Sequence, residues 1–296
     1  MGSKRVGLAR TQALIQNLKR EINLNSSIGK SAGAAGDQGP TKLIFGKNGT
    51  GEAVADPFQE SSTQLFDFGT LLFYGDRVFR YAGIGASGVT AGKTLQAAAL
   101  YNANHRDMAV QAAAAAGATS VAVTFGGDTD AAEDLYAEGY IHINDVAGQG
   151  QLLRIKGHDA VDAGVSTTCT LNLYDKVVTA LTTSSKADLI TATYNDLVVG
   201  PTTFTGPVIG ITVMDMTADY YGWVQIAGPC SVLLDINPTG ATEELGGLVI
   251  RSDDNAGACM GIGVVTGDAD LAHQVIGTLM VNNGDTDNVV VWLSID

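Results

Sequence analysis

Short runs of alternating apolar residues, each stopped by Gly, Asn or Asp, recur along this 296-residue chain and leave little room for anything but paired strands. Strand side chains point to opposite faces in turn, so alternation marks a strand with one face on a core. "QVIGTLMVNNGDTDNVVVWLSID" reads as two strands around Asn283-Gly284-Asp285, with Val289, Val291, Leu293 and Ile295 on one side. "YIHIN" puts Ile141 and Ile143 on one face and His142 on the other; "DVAGQG" turns, and "LLRIK" returns with Leu153 and Ile155 inward. "TCTLNLYD" aligns Cys169, Leu171 and Leu173, and "GPVIGITVMD" aligns Ile209, Ile211 and Val213. "YYGWVQIAGPCSVLLDI" reads as two short strands around Ala227-Gly228-Pro229. The Ala-rich run 109–116 is ambiguous: its composition is helical, but Gly117 and "SVAVTF" follow as turn and strand.

Two segments precede this pattern. "LARTQALIQNLKREI" spaces Leu8, Thr11, Ile15, Leu18 and Ile22 by three and four, a helical stripe with Arg10, Lys19 and Arg20 beside it. Residues 1–24 are therefore expected to form a basic amphipathic helical arm, packed either on a neighbour or on its own body. Residues 25–62, rich in Gly, Ser and Ala, read as an extended linker. The β body spans 63–296, with a candidate division into two β subdomains near 200. The expected fold is mainly β: Gly-rich antiparallel sandwich or barrel modules behind a helical arm.

Charge separates arm from body. Residues 1–47 hold eight basic residues against two acids, +6, and the rest hold nine against 29, −20, which together make the net −14. Such an arm suits docking on an acidic neighbour better than nucleic acid, which an acidic body repels. Only 16% of residues are charged, where ~25% is usual. A large uncharged surface points to contact with other subunits. The N-terminus lacks the apolar core of a signal peptide, and no eighteen apolar residues run together, so no membrane association is expected.

Chemistry-bearing patterns are weak. "SGVTAGKT" supplies Gly92, Lys93 and Thr94 of a phosphate loop, but Ser87 stands where the first Gly belongs and Gly88 is one residue too close. A β-turn at Ala91-Gly92 is the better reading. Cys169, Cys230 and Cys259 are too scattered for a disulfide framework. His105, His142, His158 and His273 have no second ligand at metal spacing, and His142 and His158 read as surface residues. The acidic pairs Asp128/Asp130, Asp253/Asp254, Asp268/Asp270 and Asp285/Asp287 suit turns before cation sites or a carboxylate enzyme. No catalytic, cofactor or metal residue is assigned. Tyr220, Tyr221 and Trp223 are the candidate surface-binding aromatics.

The segments "FRYAGIGASGVTAGKTLQ", "NHRDMAVQAAAAAGATSVAVTFGG", "YAEGYIHINDVAGQGQLLRIKGH", "DYYGWVQIAGPCSVLL" and "IGTLMV", from about residue 79 to 280, resemble structural proteins of tailed bacteriophages, especially marine phages. In theme they are similar to head decoration (cement) proteins: Gly-rich β modules that sit on the capsid lattice, often as trimers. The arm is not part of that theme. The resemblance implies a non-enzymatic virion component, assembled in the host cytoplasm, whose partners are copies of itself and the major capsid protein or other virion proteins. A tail or fibre component that binds host surface carbohydrate is the alternative.

Overall fold

The structure is a computed structural model and describes residues 42–45, 56–98, 100, 102–127, 129–236, 244–262 and 274–295. Apart from one single-turn helix at Ala103–His105, every regular element among them is a strand. The chain is mainly β, as its alternation predicts. The expected helical arm, residues 1–24, lies outside the described residues.

The chain first lays down β1 (Lys42–Phe45), β2 (Leu71–Tyr74), β3 (Arg77–Gly83) and β4 (Thr94–Ala97) of an eleven-stranded sheet. It then leaves to build a complete six-stranded sheet from β5 (Met108–Ala109), β6 (Ser120–Thr124), β7 (Tyr140–Asp145), β8 (Leu152–Gly157), β9 (Thr168–Leu173) and β10 (Lys186–Ile190). It returns as β11 (Leu197–Val199), which pairs with the strand it left, Val199 opposite Leu95 of β4. The body is thus not cut once near 200: the second unit is an insertion between two partner strands. The larger sheet is completed by β12 (Gly210–Thr212), β13 (Tyr221–Leu233), β14 (Leu248–Arg251), β15 (Cys259–Gly261), β16 (Val275–Val281) and β17 (Asn288–Ser294). β1 falls inside the segment read as a linker and pairs antiparallel with β2, Lys42 opposite Tyr74.

The six strands run in the order β5-β10-β7-β8-β9-β6, and a Val110–Val123 bridge joins the two ends. There the Gln111 N–H donates to the Ala122 carbonyl at 2.8 Å. The result is a nearly closed barrel, which leaves few unpaired edge groups. Its interior holds the predicted inward residues: Ile141, Ile143, Ile155 and Leu171 are fully buried. The Ala-rich run forms part of this wall, with Ala114 bridged to Leu181, so barrel closure overrides the helical preference of alanine.

In the larger sheet the expected break at Ala227-Gly228-Pro229 is absent: β13 continues through it for 13 residues. What changes there is the partner. Residues up to Ala227 pair with β3, and Ala227 onward pair with β17. A register shift sits between Gln225 and Ala227, and Gly228 has φ +83. The Gly-Pro step therefore bends one strand instead of separating two, because Pro229 gives up a donor where pairing is handed over. The Gln225 side-chain amide donates to the carbonyls of Ala227 and Pro229 at 3.1 and 2.9 Å and stiffens the bend. A Cβ on Gly228 would drive into the Asp76 carbonyl and sit 3.1 Å from the Arg77 Cα.

Gly228→Ala is expected to cost about 3 kcal/mol, because a positive φ and a backbone clash act together. Urea denaturation of the variant beside the parent protein measures this. An unchanged midpoint would show that the bend accepts a side chain.

Candidate functional site

The arm residues singled out by the sequence, Leu8, Arg10, Ile15, Leu18, Lys19, Arg20 and Ile22, lie outside the described residues. Of the three aromatics, Trp223 is not a surface group. It is 3% exposed and packs edge-on against Tyr81 at 5.2 Å and against Phe66 at 5.4 Å. Both faces of β13 are covered at this point, with Val224 in a second core on the other side. Tyr220 and Tyr221 are half-buried; the Tyr221 ring stacks on Phe68 at 6.1 Å and its backbone bridges to Ser61. The structure does not assemble the three into a groove.

The exposed tryptophan is Trp292, at 45%. In β17, Val289, Val291 and Leu293 point inward, which turns Trp292 out. Register places it opposite Thr278 of β16, which is opposite Leu248 of β14, and opposite Pro229 of β13 on its other side. Leu248 is 50% exposed, and Met280 and Val281, at the irregular end of β16, are also exposed. One face of the β13-β17-β16-β14 sheet thus carries an apolar row in solvent. The signal was present in the alternation, since the inward parity of β17 leaves position 292 outside.

A second feature lies where barrel and larger sheet meet. A recess of about 240 Å³ is lined by Phe68, Arg80, Glu138, Tyr140, Arg154 and Tyr194, among others. Glu138 holds the two units together: its carboxylate accepts from the Phe68 N–H at 2.6 Å and the Gln64 amide at 2.8 Å, and lies 3.4 Å from Arg154 Nη2. Its backbone has φ +62, a cost that a residue with three partners can offset. Burial pushes the Glu138 carboxyl above its ordinary value, against the pull of these donors and of Arg154. Arg80 donates to the Gly69 carbonyl and lies over the Tyr194 ring. Two cations, a carboxylate and two phenols around one recess can recognise an anionic or hydroxyl-rich ligand. Sequence reasoning missed this group because its members come from five separate stretches of chain.

Inside the barrel, His105, Tyr136 and His158 form a buried chain. The sequence read His158 as a surface group, yet it is 3% exposed. Its Nδ1–H donates to the Asp159 carbonyl at 2.8 Å and its Nε2 accepts from the Tyr136 N–H at 3.1 Å, which fixes one neutral tautomer. His105 Nδ1 lies 2.5 Å from the Tyr136 hydroxyl, with Nε2 3.4 Å from the Thr129 carbonyl. The carbonyl can only accept, so Nε2 carries the proton and Nδ1 receives the hydroxyl hydrogen. Burial lowers the His105 pKa and pushes Tyr136 up to about 12. Phe125 covers the His105 ring at 3.9 Å. Every polar side-chain atom of the trio is thus engaged, and the arrangement stabilises the barrel.

The remaining motifs resolve into turns. Gly92, at φ +78, sits in a turn before β4 and no helix follows. The Ala91 N–H is taken by Asp215, the Gly92 N–H by the Thr212 carbonyl, and Lys93 Nζ by the Ala256 carbonyl at 3.3 Å. Amides already used cannot cradle a phosphate. Asp285 accepts from the Ile236 N–H, and Asp130 from the Ala163 N–H. Among the described residues no three His, Cys, Asp or Glu side chains are grouped to hold a metal, and no helix is long and apolar enough to cross a membrane. All three cysteines are buried, and none is joined to another by a disulfide.

Stability is expected to depend on pH through His105. An unfolded imidazole titrates near ~6.5, and the folded one lower, so the neutral form is favoured by folding. The contribution is complete above that unfolded value and is lost as pH falls from it toward the folded pKa. Urea midpoints measured between pH 8 and pH 5 should fall across that window in the parent and less steeply in His105→Gln. Identical slopes would rule out the His105 contribution. Comparison with known proteins found no match: no family model, no curated protein and no solved structure corresponds to this chain.

Proposed function

We propose that this chain is a non-enzymatic structural component of a tailed-phage virion, a head decoration or cement protein that stabilises the capsid through contacts between subunits. The observation that carries the reading is the apolar row of Leu248, Met280 and Trp292 on an otherwise finished sheet. Exposed apolar faces of this kind are ordinary at sites of assembly and rare elsewhere. The occupant we assign is a second copy of the chain, in a closed homo-oligomer, with a trimer favoured by the resemblance to cement proteins. Bodies of charge −20 repel one another, and residues 1–47, which carry +6 and include the arm, supply the complementary charge that draws a neighbour in. The major capsid protein or another virion protein is the surface on which the oligomer sits, after assembly in the host cytoplasm.

A second reading has its own support. The recess between Arg80, Glu138, Arg154, Tyr140 and Tyr194 suits a sugar acid, and a tail or fibre component binding host carbohydrate would use it. A glycan array probed with the parent and with Arg154→Ala separates the two: loss of a specific glycan signal in the variant favours the tail reading.

For the capsid reading, full-length protein, a form lacking residues 1–24, and Trp292→Glu are mixed with phage capsids and co-sedimented. The full-length protein is expected to pellet with particles. The truncated form and Trp292→Glu should stay in solution while keeping the parent Tm within about 2 °C, as a surface substitution does. Undiminished binding by both variants would overturn the assignment of arm and face.

A further inference from the structure

Arg251, at the end of β14, is 2% exposed. Its Nη1 donates to Gln96 Oε1 at 2.5 Å, and the Phe204 ring covers the guanidinium carbon at 4.2 Å. Nε and Nη2 have no hydrogen-bond partner, and among the described residues no carboxylate lies within ion-pair distance. A buried guanidinium keeps its charge, and a buried charge without a counter-ion is expensive.

The pattern of use is specific. Nε–H and one Nη2–H project side by side along a single edge of the planar group, the spacing that matches the two oxygens of a carboxylate. That whole edge is unengaged while the opposite nitrogen is anchored on Gln96. Gln96 is itself fixed, donating from Nε2 to the Thr205 hydroxyl at 2.7 Å, so the orientation of the fork is set from behind. The buried Thr94 hydroxyl also lacks a partner and borders the same spot: a Cβ on Gly200 would be 2.9 Å from Thr94 Oγ1 and 2.8 Å from Arg251 Cδ. Thr94 Oγ1 and the Cδ from which the Arg251 guanidinium extends thus both border Gly200. The loop between β11 and β12 contributes Phe204 and Thr205 to these contacts.

We propose that the Nε/Nη2 edge of Arg251, with the Thr94 hydroxyl beside it, is a binding site for a small carboxylate. The carboxylate comes either from solution or from an acidic side chain of a second copy. The inference uses none of the groups invoked for capsid attachment, so it stands or falls separately.

The test follows the Arg Nε–H resonances of full-length ¹⁵N-labelled protein, diluted until light scattering reports a monomer, during titration with sodium formate against sodium chloride at equal ionic strength. The Arg251 resonance, identified by its disappearance in Arg251→Met, is expected to shift and saturate with formate and not with chloride. Tm should rise by about 5 °C at a hundredfold excess over Kd. Thr94→Val should weaken the formate effect, and Arg251→Met should abolish it. Arg251→Met is expected to retain its own Tm or gain, because removing an unpaired buried charge is neutral or favourable. If Arg251→Met does not fold, Arg251→Lys assigns the resonance and the formate titration of the parent still decides. A second-copy source is recognised when undiluted parent protein is oligomeric, formate dissociates it and Arg251→Met lowers its mass. Absence of any formate-dependent shift in resonance or Tm, together with an unchanged mass for Arg251→Met, would overturn the proposal and leave Phe204 and Gln96 as the sole partners of this cation.

Discussion

The pairing of β13 on both of its edges is the constraint from which the larger sheet follows. Its first half is backed by β3 and its second by β17, while β12 pairs near the middle through Ile211 and Thr212. One strand therefore belongs to two curved halves, and each half has its own apolar cluster: Leu95, Leu197 and Val224 in one, Val232, Val291 and Leu293 in the other. A flat strand could not serve both. The bend at Gly228-Pro229 lets the sheet roll toward a half-barrel without a loop, and the backbone carbonyl that presses on Gly228 shows how closely the β2–β3 turn sits on it. Residues 108–190 are inserted where the geometry is already closed by β4 and β11, so the barrel could be added without disturbing this framework.

The barrel answers the edge problem differently. Its first and last strands meet through Val110 and Val123, and its interior combines aliphatic layers with one polar chain, His105–Tyr136–His158. Buried polar groups of this kind are tolerated because each has a partner, and a fully satisfied network favours one packing over its alternatives. Glu138, at the junction, performs the same service between units by accepting from both Gln64 and Phe68. Polar groups inside this protein mostly carry architecture. The apolar row outside it is the feature that architecture does not use, and it is the feature on which the proposed assembly rests.

How much of this was legible depended on whether a strand had one covered face or two. β7, β8, β9 and β17 are covered on one side, and their alternation located Ile141, Leu153, Leu171 and Val291 in the core. The same parity leaves Trp292 outside, although the sequence reading singled out Tyr220, Tyr221 and Trp223 instead. β13 is covered on both sides from Gly222 to Ile226, so alternation vanishes there, and Trp223, which looked like part of a binding surface, is core. Gly-Pro read as a turn because local preference cannot report that the strand changes partners at that step. His158 looked exposed beside Asp159, and only the fold of the 134–138 segment over it buries the ring. The Glu138 recess and the Arg251 fork were invisible for a simpler reason: their members are far apart in the chain, Gln96 and Arg251 by 155 positions, and share no motif.

The account rests on this chain being built to contact its own kind, and the molar mass of the full-length protein in solution tests that most directly. Multi-angle light scattering at about neutral pH and moderate salt is predicted to give a small integral multiple of the 30.5 kDa chain, falling toward 30.5 kDa when Trp292 is replaced by Glu. A mass of 30.5 kDa for the parent protein at every concentration reached would contradict the account and would move attention from the apolar sheet face to the recess at Glu138.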